Sequence, residues 1–404
     1  IQSIWGTQDR MQGVIQWLYY ILFFCGLLIV LDGKLIKNIL LIIVCTAGVI
    51  ALYAIFQKLK FDPLFADFDN DFFVGRVFST LGNPDFLGQF LALCLPISVG
   101  FIFESKERIK KMFFSLISIV FLLALFFSQS RAPFFGLLVS SFLLIIYVLK
   151  IKFRANLRSL FKPVLFGLII FSIIVSGLFL KTDLLDRFEP VPENTRSIIS
   201  RLIIWDSAIK IIKDNPLFGI GPENFKSQFV GYANPKFYEI ELDMNTIADR
   251  THNDFLEFGV AAGLLGIIIW GLLILWFVWK YFSVKNADYL SHAVFLSVFV
   301  YFFQNLFSFS ETSHFLIFFF LVASIICLTQ KAARNYAGKS LIFVFVLLIV
   351  AAPFLSYFTV YKIARAENFY TKALYAEADG QDGLSVNLFK QAIETNPNFT
   401  AYRY

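Results

Sequence analysis

Apolar residues in this chain run on in long blocks, instead of recurring at the spacing of one helix face or alternating as in a strand. A helix that crosses a membrane needs about 20 mostly apolar residues. The pattern predicts ten such helices, at about 14–31, 38–56, 86–103, 112–128, 134–149, 163–180, 255–279, 289–308, 314–329 and 341–360. The 134–149 and 314–329 blocks are the shortest of them. Lys and Arg punctuate the blocks in a regular way. Lys34 and Lys37 follow the first, Lys106, Arg108, Lys110 and Lys111 the third, and Lys150, Lys152, Arg154, Arg158 and Lys162 the fifth. Lys280 and Lys285 follow the seventh, and Lys331, Arg334 and Lys339 the ninth. Basic loops after every odd span place those loops in the cytoplasm and both ends of the sequence outside.

The outer side then carries most of the irregular sequence, in segments 57–85 and 181–254. The second has no basic excess, and a connection of about 70 residues is usually functional. Residues 364–404 are polar and helical in pattern, with Phe369, Ala373, Gly380, Phe389, Ala392 and Pro397 at the spacings of a tetratricopeptide repeat. The expected organisation is a polytopic membrane domain over 1–363, the outer loop 181–254 within it, and the start of a repeat segment over 364–404. The chain opens at Ile1 and stops mid-pattern at Tyr404, and is expected to be a piece of a longer protein.

Composition narrows the class. The chain is 58% hydrophobic and 16% charged, against about 45–50% and about 25% in soluble domains. That excludes a water-soluble enzyme and a disordered chain, and leaves an all-α, polytopic helical membrane protein. Cys25, Cys45, Cys94 and Cys327 all lie in apolar runs without metal-ligand spacing, and read as small hydrophobes.

The spans hold almost no charge, with Glu257 and His292 near span starts. Ion-coupled transporters place ionisable groups at mid-membrane, so the chemistry is expected at the outer rim. Around Arg196–Asp214, Ile198, Ile204, Trp205, Ala208, Ile211 and Ile212 share one helix face, and Arg201 sits in the middle of it. Such a charge must snorkel or meet a buried anion. Arg131 lies in the short outer turn Ser128-Gln129-Ser130-Arg131-Ala132-Pro133. His252 precedes the seventh span, where Asn253 or Thr251 can cap the helix; an imidazole is the usual general base near neutral pH. Gly219-Ile220-Gly221-Pro222 reads as a plain turn that could also present N–H groups to a phosphate. Asp67, Asp69 and Asp71 lack the Gly and Glu a calcium loop requires and read as a solvated edge. His314, near Glu311, reads as interfacial.

Four stretches in order resemble the O-antigen ligase / O-antigen polymerase family: Arg76-Val77-Phe78-Ser79-Thr80-Leu81-Gly82-Asn83-Pro84, then Ser128-Gln129-Ser130-Arg131, then Arg201 to Trp205 with Asn215-Pro216-Leu217-Phe218-Gly219-Ile220-Gly221-Pro222, then His252-Asn253 through Gly263-Leu264-Leu265-Gly266. Gly6, Arg10 and Gly13 resemble a segment of members that carry repeat tails. The resemblance implies a C-type membrane glycosyltransferase fold (GT-C-like) in the bacterial inner membrane. It implies transfer of a glycan from an undecaprenyl-diphosphate carrier to an acceptor hydroxyl on a lipid, a glycan or a protein, at the extracytoplasmic face. It maps the diphosphate-holding arginines onto Arg131 and Arg201 and the family histidine onto His252, with Arg76, Asn253, Gly219 and Gly221 as substrate-binding candidates. Many members carry Glu nine residues after the histidine; here that position is Ala261. No metal, other cofactor or nucleic acid is expected, and the tail is expected to offer a surface for a protein partner. The competing readings are a metal-dependent transferase using Asp67 and Asp69, a polysaccharide or lipid transporter, and a membrane scaffold.

Overall fold

A computed structural model describes residues 2–7, 10–63, 75–152, 193–241, 247–284, 287–329, 361, 365–377 and 380–397. The chain divides into two compact units, 1–6 with 12–331 and 7–11 with 332–404. Regular structure in the described residues is helical, with no strand among them.

The first unit opens with α1 (Gln2–Trp5), α2 (Val14–Val30), α3 (Gly33–Lys58), α4 (Pro84–Glu104), α5 (Arg108–Ser128) and α6 (Arg131–Lys152). It continues with α7 (Glu193–Asp214), α8 (Phe225–Tyr232), α9 (Lys236–Glu241), α10 (Asp254–Ser283), α11 (Tyr289–Gln304) and α12 (Thr312–Thr329). Among the described residues, six of these (α3, α4, α5, α6, α10 and α12) are long and apolar enough to cross a membrane, and α2 and α11 are shorter apolar helices. These eight coincide with eight of the ten blocks expected from the sequence. The blocks at 163–180 and 341–360, and the Asp67, Asp69 and Asp71 series, lie outside the described residues.

α4 and α11 pack together at the centre of the spanning helices, with α5 against α4, α6 against both, and α12 against α11. On α5, Phe114, Ile117, Ser118, Phe121, Ala124, Leu125 and Ser128 are buried at helical spacing. On its other face Met112, Leu116, Ile119 and Leu123 are exposed; on a spanning helix such a face is solvated by lipid. Short polar ties join the helices inside the apolar layer. Ser297 Oγ donates to the Leu93 carbonyl at 2.7 Å, and the Ser98 and Ser118 hydroxyls lie 2.8 Å apart.

The expected seventh span, 255–279, is not one straight helix. Ala262 and Gly263 leave helical geometry, and Gly263 has φ +66°. The two halves of α10 double back on each other. The Phe258 and Trp270 ring centroids are 4.5 Å apart. A Cβ on Gly259 would meet the Ile267 side chain, and one on Gly271 would meet Phe255. In a straight helix residues 258 and 270 would stand about 18 Å apart. So 254–262 is a short helix that climbs beside 264–283, and Asp254 sits roughly 12 Å below the hairpin tip. Hydropathy could not reveal this, because both halves are apolar and glycine is common in membrane helices.

In the second unit, α13 (365–377) and α14 (Asp382–Thr395) pack through Ala366 and Ala392, with Phe369, Tyr370 and Ile393 around them. Tyr370 meets Phe389 edge-on at 5.6 Å. Gly380, at φ +72°, turns the chain between them.

Candidate active site

The site begins where α4 starts. The Asn83 side chain caps the helix by accepting from the Asp85 N–H at 2.8 Å, and Pro84 takes the first helical position. Asp85 is thereby held at the helix mouth. Arg76 reaches it with Nη2 at 2.6 Å and donates from Nε to the Ser128 carbonyl at 2.8 Å, tying the start of α4 to the end of α5. Ser130, in the α5–α6 turn, is a second partner of Asp85. That turn comes close because α4 carries Gly88, where a Cβ would stand 2.8 Å from Ser130 Cβ. Arg131, the first residue of α6, is exposed beside it.

α7 completes the charged side. As its pattern predicted, Ile204, Ala208, Ile211 and Ile212 are buried, while Asp206, Lys210, Lys213 and Asp214 are exposed. Arg201, on the same helix, is half-buried among Asp85, Arg131 and Arg76. Burial holds its guanidinium below the ordinary arginine value; Asp85 opposes this, and the two neighbouring guanidiniums add to it. Three arginines around one carboxylate make a place that favours an additional anion.

One turn along α7 from Arg201, Trp205 Nε1 donates to the Thr251 carbonyl at 2.9 Å. The next residue is His252, whose backbone is left-handed at φ +52°. Asn253 caps α10, its side chain accepting from the Leu256 N–H at 3.2 Å. The His252 ring stands edge-on to Phe309 at 5.0 Å, and Phe309 meets Phe86 at 5.6 Å. Phe86 follows Asp85 in sequence. The contacts therefore close a circuit from Arg201 through Trp205, Thr251, His252, Phe309, Phe86 and Asp85 back to Arg201. Of the sequence candidates, Arg76, Arg131 and Arg201 are brought together around Asp85, and His252 is linked to them through Thr251 and Trp205 on one side and Phe309 and Phe86 on the other.

Four residues that sequence reasoning did not assign, Arg250, Glu257, Glu223 and Gln12, hold the histidine turn in place. Arg250 donates to Glu257 Oε1 at 2.9 Å, to Gln12 Oε1 at 3.0 Å, and forms a short ion pair with Glu223. Burial works against its charge, but Glu257 and Glu223 outweigh burial and hold Arg250 above its ordinary value. Glu257 Oε2 in turn accepts from both the N–H and the hydroxyl of Thr251, each at 3.0 Å. The signal was present in part: Glu257 was one of the few charges near a span start.

Two expectations need correction. The N–H groups of Gly219, Ile220 and Gly221 are engaged by the carbonyls of Asn215, Val260 and Ala261 at 3.1, 2.8 and 3.0 Å. The turn thus satisfies carbonyls freed by the α10 break, and Gly219 and Gly221 present no N–H pair to a phosphate. His314 is fully buried, not interfacial, with Nε2 3.1 Å from the Phe86 carbonyl. Among the described residues no group of His, Cys, Asp and Glu is placed to hold a metal ion.

The site so far is an arginine cluster around Asp85, linked by contacts to a histidine at a helix mouth, in an all-α membrane protein. The family model for O-antigen ligase matches residues 116–271, a stretch that holds Arg131, Arg201 and His252. The chain is also 24% identical over 262 residues to a ComP-specific O-oligosaccharyltransferase from Acinetobacter baylyi, across 64% of this chain and 45% of that protein. The chain thus spans less than half of that relative's length. Together the two likenesses bear out the resemblance to the O-antigen ligase family.

Proposed function

We propose that the protein transfers a glycan from an undecaprenyl-diphosphate carrier to an acceptor hydroxyl at the extracytoplasmic face of the bacterial inner membrane. The observation that supports this reading is the run of contacts that joins the arginine cluster at Arg201 to the His252 turn. Arg201 and Arg131 hold the diphosphate, and Arg76 orders Asp85 between them. As the anomeric C–O bond breaks, negative charge builds on the leaving diphosphate. Guanidiniums placed in advance in a poorly solvated rim stabilise that charge. His252 takes the proton from the acceptor hydroxyl as its oxygen attacks the anomeric carbon from the opposite face, so the configuration inverts. The name of the Acinetobacter relative favours a protein hydroxyl as acceptor; lipid and glycan acceptors belong to the same chemistry.

The test is reconstitution in nanodiscs with an undecaprenyl-diphosphate-linked oligosaccharide and candidate acceptors, read by mass spectrometry. Glycan should move onto an acceptor with EDTA present. Transfer that stops with EDTA and returns with a divalent cation would favour the metal-dependent reading, and no transfer to any acceptor class would favour the transporter or scaffold.

A further inference from the structure

At the end of the helices away from the arginine cluster, α3, α4 and α5 part to leave a groove of about 840 Å³. α4 rises about 28 Å between Asp85 and Glu104, so the groove lies across the membrane layer from the Asp85 site. The rings of Phe101 and Phe114 stack at its floor, with centroids 4.9 Å apart. Further in, α3 and α5 meet, where a Cβ on Gly48 would touch the Ile117 side chain at 3.8 Å. From there the groove opens past Cys45, Leu41 and Phe113 to a mouth at Lys37, Lys106 and Lys110.

Mouth and wall differ in chemistry. The three lysines stand where the apolar runs of α3, α4 and α5 stop. Lys37 pairs with Glu104 at 3.3 Å and Lys110 with Glu107 at 2.6 Å. Each acid of the mouth is thus matched by one lysine, and Lys106 is left over. Around it, segments 32–37 and 104–111 set six Lys and Arg against three Asp and Glu. The wall is apolar, and on spanning helices it borders acyl chains. From Lys37 to Cys45 α3 rises about 12 Å, most of the roughly 15 Å that one leaflet contributes to the hydrocarbon layer. A soluble anion would suit the mouth and leave the wall bare, and a neutral lipid would suit the wall and leave the charge excess unmet. A molecule with a phosphate at one end and an acyl chain at the other suits both. Basic pockets between membrane helices hold lipid phosphates in this way, and lysine stems let the ammonium reach a headgroup from the apolar layer.

We propose that the groove holds one anionic glycerophospholipid of the leaflet on this side, its phosphate at Lys106 and Lys110 and one acyl chain along Leu41, Cys45 and Phe113. The lipid joins the start of α3 to the start of α5. The proposal rests on α3, α4 and α5 spanning the membrane and not on the transfer reaction.

The test is native mass spectrometry of the detergent-purified chain, titrated with dioleoylphosphatidylglycerol or dioleoylphosphatidylcholine. The first phosphatidylglycerol should bind about tenfold more tightly than the first phosphatidylcholine, given the worth of lysines near a headgroup. The double variant Lys106→Gln/Lys110→Gln should bind the two lipids alike, whereas the control Lys213→Gln/Lys280→Gln, with the same loss of charge elsewhere, should keep the preference. Equal affinities in the parent chain would overturn the proposal, and so would an equal fall in both double variants, since the charge would then act diffusely. Release of phosphatidylglycerol by inorganic phosphate at the same concentration would also overturn it, because the mouth would then be a site for soluble anions. Phosphatidylglycerol with a diazirine in its acyl chain gives an independent reading in nanodiscs. Its crosslinks should fall on 38–45 and 109–114, and crosslinks confined to other segments would refute the assignment.

Discussion

A guanidinium offers a planar fork of donors to two phosphate oxygens, while an ammonium with the same charge offers only a point. If Arg201 and Arg131 clamp a diphosphate, Arg201→Lys should weaken donor binding markedly although charge is kept. Wild-type donor affinity in both Arg201→Lys and Arg131→Lys would end that assignment. For His252 the left-handed backbone matters to the choice of variant. Asparagine tolerates that conformation better than alanine, so His252→Asn tests the base with little cost to the turn. Transfer should fall about 10²–10⁴-fold, the usual worth of positioned proton transfer, with donor binding kept; near-normal turnover would leave only the arginines to argue for catalysis. Arg250 differs in kind. Its side chain is only 8% exposed and answers two carboxylates. Arg250→Gln leaves buried charge uncompensated and should cost about 3–5 kcal/mol of stability, read as a lower melting temperature in detergent. Arg131, Arg201 and His252 were legible in the sequence because each stands where its surroundings do not call for it. Asp85 was hidden in a segment that reads as an ordinary helix start, and Arg250 in a loop where an arginine is unremarkable.

Spans were readable from the sequence because twenty apolar residues in a row have one common use; direction was not, because a hydropathy window sums composition and is blind to a reversal. The α10 hairpin shows this. Ala262 and Gly263 sit in an unbroken apolar run, yet the chain doubles back there and sets the His252 turn below the tip. The Asn-Pro-Leu-Phe-Gly-Ile-Gly turn pairs with the freed backbone groups, a long-range match that no local pattern announces. Gly263 is the joint: a side chain would be strained at φ +66° and would press on Pro216 and Leu217. Gly263→Ala should cost about 1–3 kcal/mol, because φ +66° with ψ −156° is open essentially to glycine alone, and more from the clash. The expected outcome is a protein that still inserts but melts earlier and transfers less, measured as a thermal shift beside a transfer assay. A variant matching the parent in both would mean that the hairpin tip relaxes freely.

At the scale of the whole molecule, we propose that the two units divide the work, with bond making in the first and acceptor choice in the second. The tail unit pairs α13 with α14 around small residues, Ala366, Ala373 and Ala392, that let two helices approach closely. A helix pair of this size buries little by itself. Leu374, Tyr375, Leu384 and Val386 leave an apolar surface exposed on it. The residues proposed for chemistry all lie within 76–252, in the other unit. Removing 364–404 should therefore lower transfer to the native acceptor while sparing hydrolysis of the lipid-linked donor, since water needs no docking surface. The two rates can be followed in one reaction by mass spectrometry of the released and the transferred glycan. A fall in transfer alone would assign the tail to the acceptor. An equal fall in both would put the tail inside the reaction centre and contradict the division of labour between the two units.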